Sequence, residues 1–500
     1  MDRRQFLKTA ALGAAGSALV GCGTELTNTG NLLKPVPSKA GLLRIAALGN
    51  AADDIDPAKA STPATWTAIY AIFESLAITG PDGPLLHLAK RVESNDEATV
   101  WTVMLRDNAT FSDDSKVTAH DVIESLKYLQ NVEATKGLLE CLDLAKSKVF
   151  DETTAVLPLT EPRFDFVESV LAVMSPVFKH GDPSLKVGSG PYVLDSGSAQ
   201  DGWKLKSNQH YPASRRLSNG LEITPIDAAE QRILALNAGE IDLALDLPVT
   251  ADKQLNNEAE TWSGGRGDSR NLGFVLNVKT SPFDQEDARR AMKLAIDREK
   301  LADVILEGKG QSGNDAPGQA LANFPSGLRV KRDVDQAKKL FASAGVTDMT
   351  VVTSELSPGM NDAAFLLVDQ LKEAGVKVKV EEREPATYLE DFRAFDGASC
   401  AAICLPNFAL EHALPIYAGS ESVFNLSGWE GDETWKADME EYVTQGDSRQ
   451  REELIHELGA AFSETGPLII WGVRDAIHGR AKGSPDVTMH LGVPIMSAVG

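Results

Sequence analysis

Residues 333–382 constrain the architecture more than any other stretch of the chain. A helix beginning at Asp333 stops at Gly345, and Met349-Thr350-Val351-Val352-Thr353 then reads as a strand. Apolar positions recur at helical spacing over 361–374, Gly375 closes that helix, and 376–382 reads as a second strand. Two antiparallel strands need only a hairpin, whereas parallel strands need a crossover. Strand, helix and strand within about 34 residues therefore form a βαβ unit. The fold class is mixed α/β with parallel strands.

The chain has 500 residues, too many for one hydrophobic core. At roughly 150 residues per domain it holds about three domains, or two large lobes. Its 43% hydrophobic and 24% charged residues are ordinary for a globular protein. The net charge of −23, from 49 basic and 72 acidic residues, argues against phosphate-driven nucleic-acid binding, which needs a basic face. Four cysteines are too few for a disulfide-built scaffold.

The N-terminus reads as an address. Arg3-Arg4-Gln5-Phe6-Leu7-Lys8 precedes an apolar, small-residue run ending at Gly21, and Cys22 follows. A basic start, a short apolar region and small residues before a cut site make an export signal. The run is too short for a permanent membrane span, which needs about 20 residues. The arginine pair resembles a twin-arginine signal, with Asp2 where Ser or Thr is usual, and Leu19-Val20-Gly21-Cys22 resembles a lipobox whose cysteine is lipidated. Residues 1–21 are then removed, leaving 479, and 22–40 form a flexible tether rich in Thr, Asn, Gly, Pro and Ser.

Further elements follow along the mature chain. Residues 100–105 read as a strand, and Thr118 caps a helix to Gln130 with Asp121 three residues on. Residues 286–307 read as one long amphipathic helix, and a last helix spans about 449–464 before the strand 468–471. Motifs that could carry chemistry are weak. Gly308-Lys309-Gly310-Gln311-Ser312-Gly313 fits G-x-G-x-x-G but follows a helix instead of a strand, so it is a loop. Arg266-Gly267-Asp268 is a chance tripeptide. No nucleophile elbow, zinc-protease helix or phosphate loop occurs, and no histidine pair has ligand spacing. Cys400 and Cys404 would share a helix face, but on a strand they lie about 13 Å apart and cannot bridge. Buried thiols are the default reading.

The order of these pieces resembles one family. Ile69-Tyr70-Ala71-Ile72-Phe73-Glu74-Ser75-Leu76, then Trp101-Thr102-Val103-Met104-Leu105-Arg106, then Phe111-Ser112-Asp113-Asp114 and Thr118-Ala119-His120-Asp121-Val122 follow in sequence. Gly188-Ser189-Gly190-Pro191-Tyr192, Gly239-Glu240-Ile241-Asp242, Ala295-Ile296-Asp297-Arg298 and Gly466-Pro467-Leu468-Ile469 come after them. Over about 42–490 the chain resembles the ABC-transporter extracellular solute-binding proteins of family 5, the peptide, nickel and oligosaccharide type.

That resemblance implies a large, cluster C type periplasmic-binding fold: two α/β lobes, a hinge and an interlobe ligand cleft. Lobe 1 would be discontinuous, 41–272 plus 470–500, and lobe 2 would be 273–469, with chain crossings near 270–274 and 468–471. It also implies a lipid-anchored, monomeric receptor that hands a peptide or other small solute to ABC permease subunits, needs no cofactor or metal, and is no enzyme. The candidate ligand-binding residues are Asn407, Phe408, Glu411, Asn425, Trp429 and Arg270. Peptide-binding relatives carry an Asp near Asn407 that pairs with the α-amine; a neutral amide cannot replace it, although Glu411 is close in sequence. The rival readings are an exported hydrolase, which needs a nucleophile–base set in its cleft, and a non-transporting sensor or chaperone.

Overall fold

The structure, a computed structural model, describes residues 25–27, 39–80, 83–265, 268–321, 324–385, 388, 398–419, 422 and 424–498. The export signal and Cys22 lie outside the described residues, as do Arg266 and Gly267 of the tripeptide. Most of the tether does too, but Glu25–Thr27 pairs antiparallel with Ala89–Ser94 (Leu26 opposite Val92), so this part of the stretch read as flexible is a strand.

Three sheets carry the architecture. A seven-stranded sheet runs Ala259–Trp262, His478–Ala481, Leu243–Ala244, Lys39–Ala47, Ser218–Pro225, Gly202–Ser207, Tyr192–Ser198. A five-stranded antiparallel sheet is built around Ala89–Ser94, Val100–Leu105 and Thr154–Pro158. The third, six-stranded, runs Gln311–Ser312, Leu468–Asp475, Ser269–Leu276, Cys400–Pro406, Asp348–Thr353, Lys377–Glu382. One large core draws on residues 43–245 and 487–496, and a second on 272–473. The first lobe therefore takes back the C-terminal strands.

Local chemistry explains the elements. The helix Ala119–Gln130 starts with a complete capping box: the Asp121 N–H donates to Thr118 Oγ1 at 3.3 Å, and the Thr118 N–H donates to Asp121 Oδ2 at 2.9 Å. The βαβ unit forms as read, with Asp348–Thr353 and Lys377–Glu382 parallel and the helix Met360–Glu373 between them. The long helix over 286–307 does not. It is two helices, Glu286–Ala295 and Arg298–Leu306, because Ile296 turns extended and Asp297 caps the second by accepting from Lys300 N–H at 2.9 Å. The G-x-G-x-x-G stretch supplies the two-residue edge strand Gln311–Ser312 against Leu468–Asp475.

The scattered sequence motifs converge physically. Glu74, buried, accepts from Arg106 Nη2 at 2.6 Å. Gly188 passes so close to Ile72 that a Cβ there would lie 1.9 Å from its carbonyl oxygen, which only glycine permits.

Among the described residues, the consecutive strands Ala259–Trp262 and Ser269–Leu276 lie in different sheets, as do Leu468–Asp475 and His478–Ala481. The strands Ser269–Leu276 and Leu468–Asp475 pair along nearly their whole length, Ser269↔Asp475 to Val275↔Leu468.

Candidate functional site

An interlobe cavity of about 780 Å³ lies between the two cores. The first lobe contributes Trp66 and Tyr70 from the helix Pro63–Ile72, with Arg163, Met174 and Leu491 from other segments. Trp66 and Tyr70 sit one helical turn apart with ring centroids at 5.4 Å, presenting an aromatic wall. The second lobe contributes residues 402–406 of the strand Cys400–Pro406, together with Phe408, Tyr417 and Trp435. The walls are mainly aromatic and aliphatic, with Met174, Met360, Met439 and Cys404 adding polarisable sulfur. The charged lining groups Glu140, Glu161, Glu430, Lys436 and Glu440 belong to exposed residues; Arg163 is more enclosed. The Arg163 guanidinium is committed on one edge, with Nε and Nη2 donating to Asp165 at 2.9 and 3.0 Å.

The backbone of the second-lobe strand is the polar feature of this apolar cavity. Asn407 N–H donates to Ser269 O at 2.9 Å and Asn277 N–H to Ser399 O at 3.0 Å, and the ladder between them keeps one register. Hydrogen-bonded pairs alternate in an antiparallel ladder. Residues 401, 403 and 405 therefore bond to Ser269–Leu276, while Ala402, Cys404 and Pro406 direct their peptide groups to the opposite edge. Along that edge the pairing with Asp348–Thr353 reaches only Ala401. Tyr388 Oη donates to Ala402 O at 2.7 Å, and Tyr417 Oη donates to Pro406 O at 3.1 Å. Among the described residues no strand pairs with this edge beyond Ala401, so the N–H and C=O of Cys404, a cavity-lining residue, have no strand partner there. Cys404 and Cys400 are both free thiols, consistent with their spacing on a strand.

Of the six candidate residues, Phe408 lines the cavity, stacked on Tyr417 with centroids 6.3 Å apart. Asn407 is turned into the protein. Its Oδ1 accepts from Gly318 N–H at 2.7 Å, and its Nδ2 donates to Gln319 O at 2.9 Å and Ser269 Oγ at 3.0 Å. Asn425 builds its own turn: its Nδ2 donates to Trp429 O at 2.8 Å, and its Oδ1 accepts from Gly428 N–H at 3.1 Å. Trp429 is buried edge-on against Trp435 and Phe462, at 5.1 and 5.3 Å. Glu411, in the first turn of the helix Leu410–Ala418, lies outside the cavity lining on the side facing Glu168 of the first lobe.

Arg270 belongs to the chain crossing. Its Nη1 donates to Asp268 Oδ1 at 2.8 Å, and Asp268 Oδ2 lies 2.6 Å from His478 Nε2. His478 Nδ1 accepts from Asp246 N–H at 3.0 Å, so Nε2 carries the proton and donates to Asp268. Burial alone would raise the Asp268 pKa, but Arg270 and His478 together hold it below the usual carboxylate value. This network ties both crossing segments together where the lobes join.

The sequence reading missed Trp66, Tyr70, Trp435 and Cys404 as cavity residues. Helical spacing marks a buried face without distinguishing core from cleft, so it could not single these side chains out.

Two lobes with a mainly apolar cavity between them, joined by paired crossing strands, define a cleft-type binding protein. The chain belongs to the bacterial extracellular solute-binding proteins, family 5, whose middle-region model matches residues 84–401, more than half of the chain. It is 26% identical over 364 residues to the probable D,D-dipeptide-binding periplasmic protein DdpA of Escherichia coli, covering 68% of this chain and 70% of that protein. It is 27% identical over 391 residues to the periplasmic oligopeptide-binding protein OppA of Salmonella typhimurium, again 68% and 70% of the two chains. In fold it is similar to the crystal structure of NikA from Staphylococcus aureus in complex with Ni(L-His)2, with a TM-score of 0.78 at 15% identity, covering 92% of this chain and 100% of that one. The protein is a solute-binding component of an ABC importer.

Proposed function

We propose that the chain is a lipid-anchored, monomeric extracytoplasmic receptor that encloses a peptide-like solute between its lobes and delivers it to the permease. The observation that carries this reading is the open edge at Cys404. A peptide lying in an apolar cavity must satisfy its own N–H and C=O groups, and an unpaired strand edge offers complementary ones, as in strand addition. The aromatic walls then take the side chains. The peptide-related names of the two relatives support the same class. No histidine lines the cavity among the described residues, so Cys404 has no imidazole base beside it there, which favours binding over covalent catalysis.

Thermal-shift screening tests the reading. Di- to pentapeptides should raise the midpoint by an amount that follows RT ln(1 + [L]/Kd), about 2.7 kcal/mol at a hundredfold excess over Kd. Sugars, nickel–histidine or opine-like compounds that stabilise the protein while every peptide fails would overturn the peptide reading. The anchor is tested separately by palmitate labelling in cells: Cys22→Ala should abolish it, and persistent labelling refutes lipidation at that residue.

A further inference from the structure

Beside the cavity the lobes meet at a second contact that solute capture leaves unexplained. The first-lobe π-helical turn Val167–Leu171 packs on the second-lobe helix Leu410–Ala418. Next to it, Phe164 N–H donates to Val443 O at 3.3 Å, and the Arg451 guanidinium lies 5.3 Å over the Phe164 ring. Glu168 projects from the turn into this contact. Its Oε2 is buried and has no hydrogen-bond partner. An ionised carboxylate there has no donor at Oε2 to replace its water, and only the backbone N–H of Glu168 itself supports the charged form by a hydrogen bond.

The groups around Glu168 come from four elements. Asp165, on its own segment, is already paired with Arg163. Glu411 faces it from the helix Leu410–Ala418, where the neighbouring His412 is buried with no partner for Nε2. Arg451 approaches from the helix Ser448–Thr465, and the Tyr442 hydroxyl from Glu433–Thr444. Burial holds His412 below its usual pKa, which disfavours its charged form. Burial is the largest influence and raises Glu168; a backbone N–H hydrogen bond at Glu168 itself opposes it, the Asp165 and Glu411 carboxylates add to it and Arg451 opposes them, leaving the group raised to about 7.

We infer that closure of the lobes takes up a proton at Glu168, where the turn Val167–Leu171 packs on the helix Leu410–Ala418, so that solute capture tightens as pH falls. The inference rests on the two-lobe capture reading and adds a control to it. When the lobes separate, Glu168 regains water and an ordinary carboxylate pKa near 4.3. Its closed-state value is raised, so the closed form is fully favoured below the open-state pKa and loses that advantage as pH rises toward 7. One proton taken up changes the closing equilibrium by up to tenfold per pH unit across that window. Linkage through His412 would run in the opposite sense, because burial disfavours its charged form.

The test is single-molecule fluorescence transfer between dyes placed, through unnatural amino acids, at exposed Leu234 of the first lobe and exposed Phe365 of the second. The mature chain is followed without ligand and with an equimolar tripeptide mixture, from pH 5 to 7.5. The closed fraction should rise severalfold per unit of falling pH. Glu168→Gln, which keeps the shape and removes the charge, should flatten the profile, and Glu411→Gln, from the opposite lobe, should reduce its slope. A flat wild-type profile, or a slope that survives in Glu168→Gln, overturns the inference. Lobes that close with falling pH but never respond to the tripeptides would strike the peptide reading and leave the proton coupling standing.

Discussion

Replacing Asp268 tests whether the crossing network holds the two lobes in register. Asp268 is buried and serves two partners, Arg270 Nη1 at 2.8 Å and His478 Nε2 at 2.6 Å. Asp268→Ala leaves a buried guanidinium and a buried imidazole N–H without their acceptor. Removing one member of a buried ion pair costs about 3–5 kcal/mol, because the remaining charge stays uncompensated. Breaking the contact from the other side, Arg270→Ala, costs less when Asp268 is already absent. The double variant should therefore be less destabilised than the two single effects summed, with a coupling of about 2 kcal/mol or more. Urea unfolding, followed by tryptophan fluorescence and far-ultraviolet circular dichroism, measures all three variants. A loss below about 1 kcal/mol for Asp268→Ala, or additive effects, refutes the reasoning.

Further outcomes follow from other parts of the structure. Phe408→Ala removes a ring from the cavity wall and should weaken solute binding by about 10- to 100-fold in titration calorimetry, in line with truncation of a buried aromatic anchor; an unchanged Kd places the solute elsewhere. Lys293 is buried, donates to Leu468 O at 2.9 Å, and is pushed down to about 8 by burial. Its lowered folded-state value means that the unfolded chain binds more protons between about pH 8 and 10.4, so native stability gains with pH across that window. Lys293→Met should lose that gain in urea titrations; a variant that follows the wild-type profile contradicts it.

The sequence carried the architecture well because its signals there are local. The βαβ unit over 333–382 is written in helical spacing and glycine stops, and the Thr118–Asp121 cap lies within four residues. The break at Asp297 was hidden because the apolar stripe continues through it, and only the capping aspartate marks the stop. The site was less legible. Asn407, Asn425 and Trp429 have the residue types of a binding site but are occupied by backbone groups or packed against other rings. Arg270 is a buried cation whose partner Asp268, two positions away, is shared with His478, 210 positions beyond Asp268, so its role depends on the return of the C-terminal strand. The open edge at Cys404 is a property of strand pairing, invisible to composition or spacing.

Hydrogen–deuterium exchange of the mature chain, with and without a saturating peptide identified by thermal shift, addresses peptide capture at the strand edge most directly. The Cys404 amide, which has no strand partner at this edge, should gain protection on binding, together with the Phe164 amide that meets Val443 across the lobes. Protection confined to other segments, with exchange at Cys404 unchanged under saturation, would contradict capture of a peptide along this strand.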